Sequence, residues 1–366
     1  MSAQNAQIQG ESDNRVCIVG VGASTAIGMD SPSTCAAVRA GIAGFADHPF
    51  MIDRNGEPMV VAMAPCLSEE LGLTERCVEL AKAAAAEAIE PLRGLPGSPG
   101  PVPLFIGLPE SRPGLPNAFG GQMTESLTMV LRERIRTSNL SAISAGHSAG
   151  FLALKAGFEQ LCTGRTDFCL VGGVDSYLEP ETLEWLEENE QLHNTTNAYG
   201  FIPGEAAGFC LLARTQAAKE YGLTPLVNIL AVTAAKERNL IKTETVCLGE
   251  GLTEAFRQAM AGLPAPETRI ERIICDMNGE PYRADEYGFA TVRLQDHFVD
   301  SSDFAAPADC WGDVGAASGT LFLNLVVASV LRGYAKTGFS LLWTSSEGGD
   351  RTAAVVQVPE QTRRTV

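Results

Sequence analysis

The chain has 366 residues, 45% apolar and 19% charged, which excludes a protein that is disordered over most of its length. Its formal net charge of −17 predicts repulsion from nucleic acids and from anionic membrane surfaces, so neither is an expected partner. No apolar stretch approaches the roughly 18–20 residues of a membrane span. Residues 1–14 lack the basic and apolar regions of a secretion signal, so we expect a disordered tail and a cytoplasmic protein.

The cysteines and histidines argue against disulfides and against a helical metal site. The ten cysteines include no C-x-x-C pair, and several lie inside apolar runs such as DFCLVGG. This pattern predicts reduced, mostly buried thiols. The four histidines are far apart in sequence, which excludes a helical His–His pair of metal ligands. No cofactor is expected.

Short apolar runs alternate with helical patterns along the chain. The first half predicts, in order, a strand at 16–22, a helix at 73–93 capped by Thr74, a strand at 102–108, a helix at 121–136, a strand at 140–144, a helix at 146–164 and strands at 167–176 and 208–214. The second half predicts a strand at 226–233, a helix at 250–263, a strand at 271–277, helices from 284 and over 312–332, and a strand at 353–358.

This alternation predicts crossover connections and a mostly parallel sheet with helices on both faces. The order of elements begins again in the second half, with little sequence identity between the halves. We therefore expect an α/β protein of two packed halves, residues 15–220 and 221–366, after the tail at 1–14.

Two glycine motifs suggest an enzyme. GVGASTAIG at 20–28 follows a strand, but its third glycine is misplaced for a dinucleotide-binding loop. GHSAG at 146–150 fits the G-x-S-x-G elbow of serine hydrolases, in which Ser148 would be the nucleophile. Only His193 and His297 lie downstream to act as its base, and neither follows a typical strand-end loop. A serine hydrolase is kept as one alternative.

The segments around that elbow resemble the β-ketoacyl synthases of the thiolase superfamily, over most of residues 15–358. The similar segments follow the order of the family: VCIVGVGASTAIGMDSPSTCAAVRAGIAGF, GHSAGFLALKAGFEQLCTGRTDFCLVGGVDS, GFIPGEAAGFCLLA, ICDMNGEPYRADEYGF, WGDVGAASGTLFLNLVV and SSEGGDRTAAVV. The resemblance implies a thiolase-like fold, with two duplicated α/β halves and mixed, mostly parallel sheets in an α-β-α-β-α layering. It also implies a dimer, in a family of acyltransferases that act as 3-oxoacyl-ACP synthases.

The catalytic positions that the resemblance implies all differ from the family. The elbow Cys falls at His147, the first His at Asn278, the second His at Gly312, the Lys at Pro307 and the gating Phe near Glu347. An imidazole cannot carry an acyl group as a thiolate does. A carboxylate at Glu347 would oppose the negative charge that develops during condensation. We therefore expect no condensation by the mechanism of the family.

Several acidic residues are expected to ring the cleft around His147. They are Asp276, Glu280, Asp313, Glu347 and Asp350, with Gly348 and Gly349 beside Glu347. Such a ring would raise the pKa of His147 and favour a salt-bridged plug over an acyl pocket. A metal site built from one His and carboxylates is the other interpretation of the same residues.

The sequence therefore favours a pseudoenzyme, a ketosynthase-like binding, scaffold or accessory subunit of the kind that bacterial gene clusters encode. The alternative is an acyltransferase or acyl-thioester hydrolase that uses His147, Ser148 or Cys310 with Asn278. The expected partner is a second copy or a related ketosynthase-like chain, paired through the strand at Asn139–Ser144. An acyl-thioester or another protein is the further candidate partner.

Overall fold

A computed structural model describes residues 16–95, 99–335 and 338–359, so the expected tail at 1–14 lies outside the described residues. The strands are β1 (Val16–Thr25), β2 (Ala46–Ile52), β3 (Pro58–Val61), β4 (Val102–Leu108), β5 (Thr137–Ser144), β6 (Phe168–Ser176), β7 (Glu205–Arg214), β8 (Val227–Lys236), β9 (Arg272–Cys275), β10 (Phe304–Ala305), β11 (Phe339–Ser345) and β12 (Asp350–Gln357). The α-helices are α1 (Ser31–Arg39), α2 (Leu73–Ala88), α3 (Phe119–Leu131), α4 (Ala149–Cys162), α5 (Pro180–Glu188), α6 (Thr215–Glu220), α7 (Glu250–Met260), α8 (Pro281–Arg293), α9 (Ala308–Trp311) and α10 (Ser318–Leu331).

Ten of these strands form one sheet whose two halves repeat the same order. Outward from the middle, the first half runs β1-β7-β6-β4-β5 and the second runs β8-β12-β11-β9-β10. In both halves the two inner pairings are antiparallel and the two outer pairings are parallel. The halves join where Val16–Ile18 pairs with residues 227–229 of β8. This repeat confirms the duplicated α/β fold that the sequence predicts.

The core consists of helices on both sides of each half sheet. Helices α4 and α10 lie in the middle, where Phe151 and Leu321 share one buried cluster with residues of β1 and β11 such as Ile18 and Leu342. Helices α2 and α3 cover the outer face of the first half, and α7 and α8 cover that of the second half. The layering is therefore α-β-α-β-α. Among the described residues no helix is both long enough and apolar enough to cross a membrane.

Some helix ends differ from the sequence prediction for local reasons. The N-cap of α2 is Gly72 rather than Thr74, and the Glu75 carboxylate accepts a hydrogen bond from its N–H at 3.2 Å. Helix α2 ends at Ala88 because Pro91 cannot continue it, and a 3-10 turn follows at Glu90–Leu92. The helix predicted over 312–332 begins only at Ser318, since Gly315 has a φ of +45°.

All ten cysteines are free thiols. Seven of them are buried, whereas Cys66 and Cys162 are exposed and Cys247 is half-buried. The prediction of mostly buried cysteines is confirmed for this chain.

Candidate functional site

The elbow after β5 places His147 at the start of a central helix. Gly146 has a φ of +57°, a left-handed conformation that turns the chain from the strand into a 3-10 turn at Gly146–Ser148. A Cβ atom at this position would lie only 3.2 Å from the side chain of Glu110, a close contact that glycine avoids. Helix α4 follows at once, and His147 is 6% exposed.

The second half provides the equivalent turn, and this turn brings Asp313 to His147. A 3-10 turn at Gly315–Ala317 leads into α10, just as the first turn leads into α4. Because the two turns pack together, the Nε2 atom of His147 lies 2.9 Å from each carboxylate oxygen of Asp313. This contact joins residues that are 166 positions apart in the chain.

Asp313 accepts further hydrogen bonds that favour its ionised form. Asn278 donates its side-chain N–H at 2.6 Å, and the backbone N–H of Gly315 donates at 2.9 Å. Burial alone would raise the pKa of Asp313, but His147, Arg283 and the N–H of Gly315 hold it well below its usual range. Burial likewise disfavours the imidazolium form of His147, yet the Asp313 carboxylate outweighs it and raises the pKa of His147. The two residues form a buried ion pair.

A buried guanidinium lies on the other side of His147. Arg283 is 1% exposed and donates to the carboxylate of Asp276 at 3.0 Å and to the carbonyl of Ser345 at 2.9 Å. Its Nη2 atom is 3.2 Å from the Nε2 atom of His147, and this positive charge opposes protonation of the imidazole. Burial raises the pKa of Asp276, although Arg283 acts against that rise.

Lys242 links the carboxylates at the outer edge of this network. Its Nζ atom lies 2.9 Å from Glu280 and 2.5 Å from Glu347. Burial would raise the pKa of Glu280, but Arg283 and Lys242 outweigh it and lower the pKa. Glu280 also accepts hydrogen bonds from Tyr282 at 2.6 Å and from Asn278 at 3.0 Å. Lys242 could not be predicted as a site residue, because one basic residue in a loop forms no sequence pattern.

The expected ring of carboxylates is therefore only partly present around His147. Asp313 contacts it directly, whereas Asp276 and Glu280 reach it through Arg283 and Asn278. Asp350 points elsewhere and forms an ion pair with Lys236 at 2.9 Å.

The glycines near the site contribute backbone rather than side chains. Gly312 has a φ of +74°, and a Cβ atom there would lie 2.8 Å from the carbonyl of Ile202. The side chain that faces His147 at this turn is thus Asp313, one position after the residue that the resemblance indicated. Gly348 donates its N–H to the Glu110 carboxylate, and Gly349 turns the chain with a φ of +95°.

Ser148 has no imidazole partner in the structure. Its hydroxyl donates to the carbonyl of Asp350 at 2.9 Å, and its N–H donates to the hydroxyl of Ser346 at 2.8 Å. Neither His193 nor His297 contacts Ser148 among the described residues. The G-x-S-x-G elbow therefore lacks the base that a serine hydrolase requires.

Cys310 lies in the short helix α9 and is 6% exposed. Burial raises the pKa of its thiol, and the nearby charge of Asp309 raises it further. This environment favours the thiol over the nucleophilic thiolate. Pro307, where the Lys of the family was expected, directly precedes this helix.

The space beside the ion pair is very small. The cavity that borders Asp276, Gly312 and Asp313 has a volume of about 10 Å³, which is room for about one water molecule. A metal ion would meet the guanidinium of Arg283 at this place. The candidate metal cluster among the described residues lies elsewhere, at Glu237, Cys247 and Glu286.

Comparisons with known proteins agree with the fold. Residues 138–218, from β5 into α6, match the family model for the N-terminal domain of beta-ketoacyl synthases. No curated protein matches the chain.

Solved structures of ketosynthases cover almost the whole chain. A chain from the complex of a type II polyketide-synthase acyl-carrier protein with its hexaketide-bound ketosynthase is 14% identical, with a TM-score of 0.79 over 94% of this chain and 99% of that chain. The ishigamide ketosynthase/chain length factor is 18% identical, with a TM-score of 0.69 over the same shares. The ketosynthase from module 6 of the bacillaene synthase of Bacillus subtilis 168 is 13% identical, with a TM-score of 0.76 over 94% of this chain and 72% of that chain.

Proposed function

We propose that this ketosynthase-like protein, with its thiolase-like fold, is a non-condensing subunit that acts through binding to a partner. The observation that carries the proposal is the buried ion pair of His147 and Asp313 at the elbow, where a condensing enzyme needs a nucleophile. The Nε2 atom lies 2.9 Å from both oxygens of Asp313, so its lone pair or proton is already engaged. A nitrogen that is engaged in this way is not available to attack a thioester.

The charges around His147 also oppose condensation. Decarboxylation and enolate formation place negative charge in the site, which catalysis stabilises with hydrogen-bond donors and positive charge. Here the carboxylate of Asp313 is the direct neighbour of His147. Both protons of the Asn278 side-chain amide are directed at carboxylates, those of Asp313 and Glu280. The amide donors of Asn278 are therefore already hydrogen-bonded to carboxylates of the protein and are not free to stabilise a substrate anion.

The partner in this proposal is a second copy or a related ketosynthase-like chain. Strand β5 is at one end of the sheet, and its free edge carries the uncharged sequence TSNLSAIS. An exposed edge of this kind favours pairing with another strand. The similarity to the ishigamide ketosynthase/chain length factor, which has two named components, supports a role in an assembly.

Intact mass spectrometry tests the absence of acyl chemistry. We incubate the protein with acyl- and malonyl-thioesters, and follow both its mass and the loss of thioester. The proposal predicts no adduct and no hydrolysis above the rate without protein. An adduct or hydrolysis that His147→Ala, Ser148→Ala or Cys310→Ala abolishes would overturn the proposal and identify the acyl-transferring or hydrolysing residue.

A further inference from the structure

A large cleft lies between α1, the 3-10 turn after α2 and the end of α10, and none of its lining residues belongs to the network around His147. Its volume is about 1080 Å³. Small-molecule sites span roughly 300–1,000 Å³ and are mostly apolar. The apolar part of the lining comes from Val19, Val21, Pro32, Ala36, Pro91, Leu226, Val327, Ala328 and Leu331.

The cleft runs along α1, and its two ends carry opposite charges. At the start of the helix the carboxylate of Glu87 accepts hydrogen bonds from the N–H groups of Ser31 and Ala23, each at 3.0 Å. This carboxylate is therefore engaged by the protein itself. At the other end, about 13 Å away for a nine-residue helix, lies the guanidinium of Arg39.

The charges of three arginines, Arg39, Arg272 and Arg332, act on Tyr334 at the Arg39 end of the cleft. The guanidinium of Arg39 stacks 3.9 Å from the centroid of this ring. Burial raises the pKa of Tyr334, and the cations that act against that rise are Arg272, Arg39 and Arg332. Arg39, Arg332 and Tyr334 line the cleft directly.

This group of arginines carries excess positive charge in an acidic protein. Within residues 16–95, 99–335 and 338–359 none of the three forms an ion pair. Asp303 partly offsets the burial that lowers the pKa of Arg272, but it makes no contact of ion-pair length with it. The ends of α1 and α10 contribute about half a negative charge each, which does not balance three guanidinium groups.

Cys35 lines the cleft but supplies no reactive thiolate. Burial raises the pKa of its thiol to about 12, with Glu87 adding to the rise. The residue therefore contributes an apolar surface and no nucleophile.

We propose that this cleft binds an amphipathic carboxylate, with the anionic head at Arg39 and Arg332 and the apolar body along α1 and α10. The arginines supply charge-assisted donors to the head, and the apolar lining removes the body from water. The site is separate from the His147 network, so its test does not depend on the non-condensing function.

Isothermal titration calorimetry with decanoate, below its micellar concentration, tests this site on the full-length protein. We expect one binding site per chain, with decan-1-ol at least about tenfold weaker because it lacks the charge. Decyltrimethylammonium should not bind. Equal affinity for decanoate and decan-1-ol, or no decanoate binding up to millimolar concentration, would overturn the proposal.

Variants at the arginine end and at the apolar wall of the cleft test separately the contribution of charge and that of the apolar cavity to binding. The double variant Arg39→Gln, Arg332→Gln should weaken decanoate binding about tenfold or more. Ala36→Trp should abolish it by filling the cleft; Ala36 is exposed, so the fold is retained. Arg257→Gln, at an exposed arginine that pairs with Glu254 on α7, is the control and should bind as the wild type does. Binding that Ala36→Trp leaves unchanged would contradict the assignment.

Discussion

His147 lies between a carboxylate and a guanidinium, and the balance of these two neighbours determines its charge. Asp313 raises its pKa, whereas burial and Arg283 act in the opposite direction. The net direction is upward, so the fold shifts the balance of His147 towards the imidazolium relative to a histidine in water. The same residue at an acyl-accepting elbow would need a free, neutral nitrogen. The contacts of His147 thus stabilise a charged pair with Asp313 and do not expose a free nucleophile.

The ion pair should give the protein a defined dependence of stability on pH. A His with a pKa raised above 6.5 contributes stability that is complete below pH 6.5 and is lost as the pH rises through the folded value. Asp313, whose pKa is lowered from 3.8, contributes above that pH and loses its contribution as the pH falls. We expect His147→Gln to cost about 1–3 kcal/mol near pH 5–6 and less near pH 9.

Urea unfolding of the wild type and His147→Gln across this pH range measures the difference. His193→Gln, at an exposed histidine, is the matched control and should change the free energy of unfolding little. A cost of His147→Gln that grows with pH would contradict the ion pair.

Arg283 is expected to contribute more to stability than any exposed arginine does. Arg283→Met leaves the buried carboxylate of Asp276 without its cation and leaves Glu280 with Lys242 alone, which should cost about 3–5 kcal/mol. Arg283→Lys should recover little of this, since an ammonium cannot reproduce the planar set of donors. Chemical denaturation measures both, with the exposed Arg293→Met on the same helix as control. A loss below about 1 kcal/mol for Arg283→Met would show that the carboxylates are neutralised by other means.

The sequence predicted some residues of the site and missed others for a physical reason. His147 and Asn278 were found because they occupy positions in a family motif. Asp313 was placed in the ring together with Glu347, but the sequence does not show which carboxylate contacts His147, because the left-handed φ of Gly312 that shapes this turn cannot be read from the residue order. Lys242 and Glu110 come from loops far from the elbow in sequence, and only the fold brings them there.

At the scale of elements, the long apolar strands and helices were predictable and the short ones were not. Strands β1, β4 and β6 are continuous apolar runs and were found. The hairpin of β2 and β3 was missed, because β2 is exposed along most of its length and has no apolar period. The two-residue strand β10 is too short for any pattern.

Strand β5 carries the prediction about assembly. If its free edge pairs with a second copy, the wild type should sediment as a dimer of about twice 38.7 kDa at micromolar concentration. Ala142 is exposed near the end of β5, and Ala142→Glu places like charges across the two-fold axis of this edge. We expect this variant to shift the protein towards monomer.

Analytical ultracentrifugation measures this shift. Ala83→Glu, an equally exposed substitution on α2, should leave the dimer intact. A wild-type protein that remains monomeric at micromolar concentration would contradict pairing through β5.

At the scale of the molecule, the negative charge of the surface contrasts with the balanced charges inside. Among the described residues the buried ion pairs are Arg76–Glu205, Arg112–Asp175, His147–Asp313, Arg283–Asp276, Arg283–Glu280 and Arg351–Glu286. Removing one member of such a pair is costly, because its partner is left as an uncompensated charge in the interior. The net charge of −17 therefore mainly affects the association of the surface with other charged molecules.

This surface charge predicts weak binding of an acyl carrier protein, which is itself acidic. Without a compensating basic patch we expect a dissociation constant of about 10⁻⁴ M or weaker at physiological salt. Titration calorimetry with a holo carrier protein measures it, and a repeat at higher salt tests whether repulsion is the cause. A micromolar constant would show that the chain has a carrier-binding surface and would favour the synthase function.

The most direct test of the central claim is a condensation assay of His147→Cys. This variant restores a thiol at the elbow but leaves Asp313, Glu280 and Asn278 in place, with no imidazole beside them. Incubated with malonyl- and acyl-thioesters, it should form no 3-oxoacyl product above the background without protein, because these carboxylates oppose the developing negative charge. Formation of that product well above background would show that the remaining site supports condensation and would contradict the account.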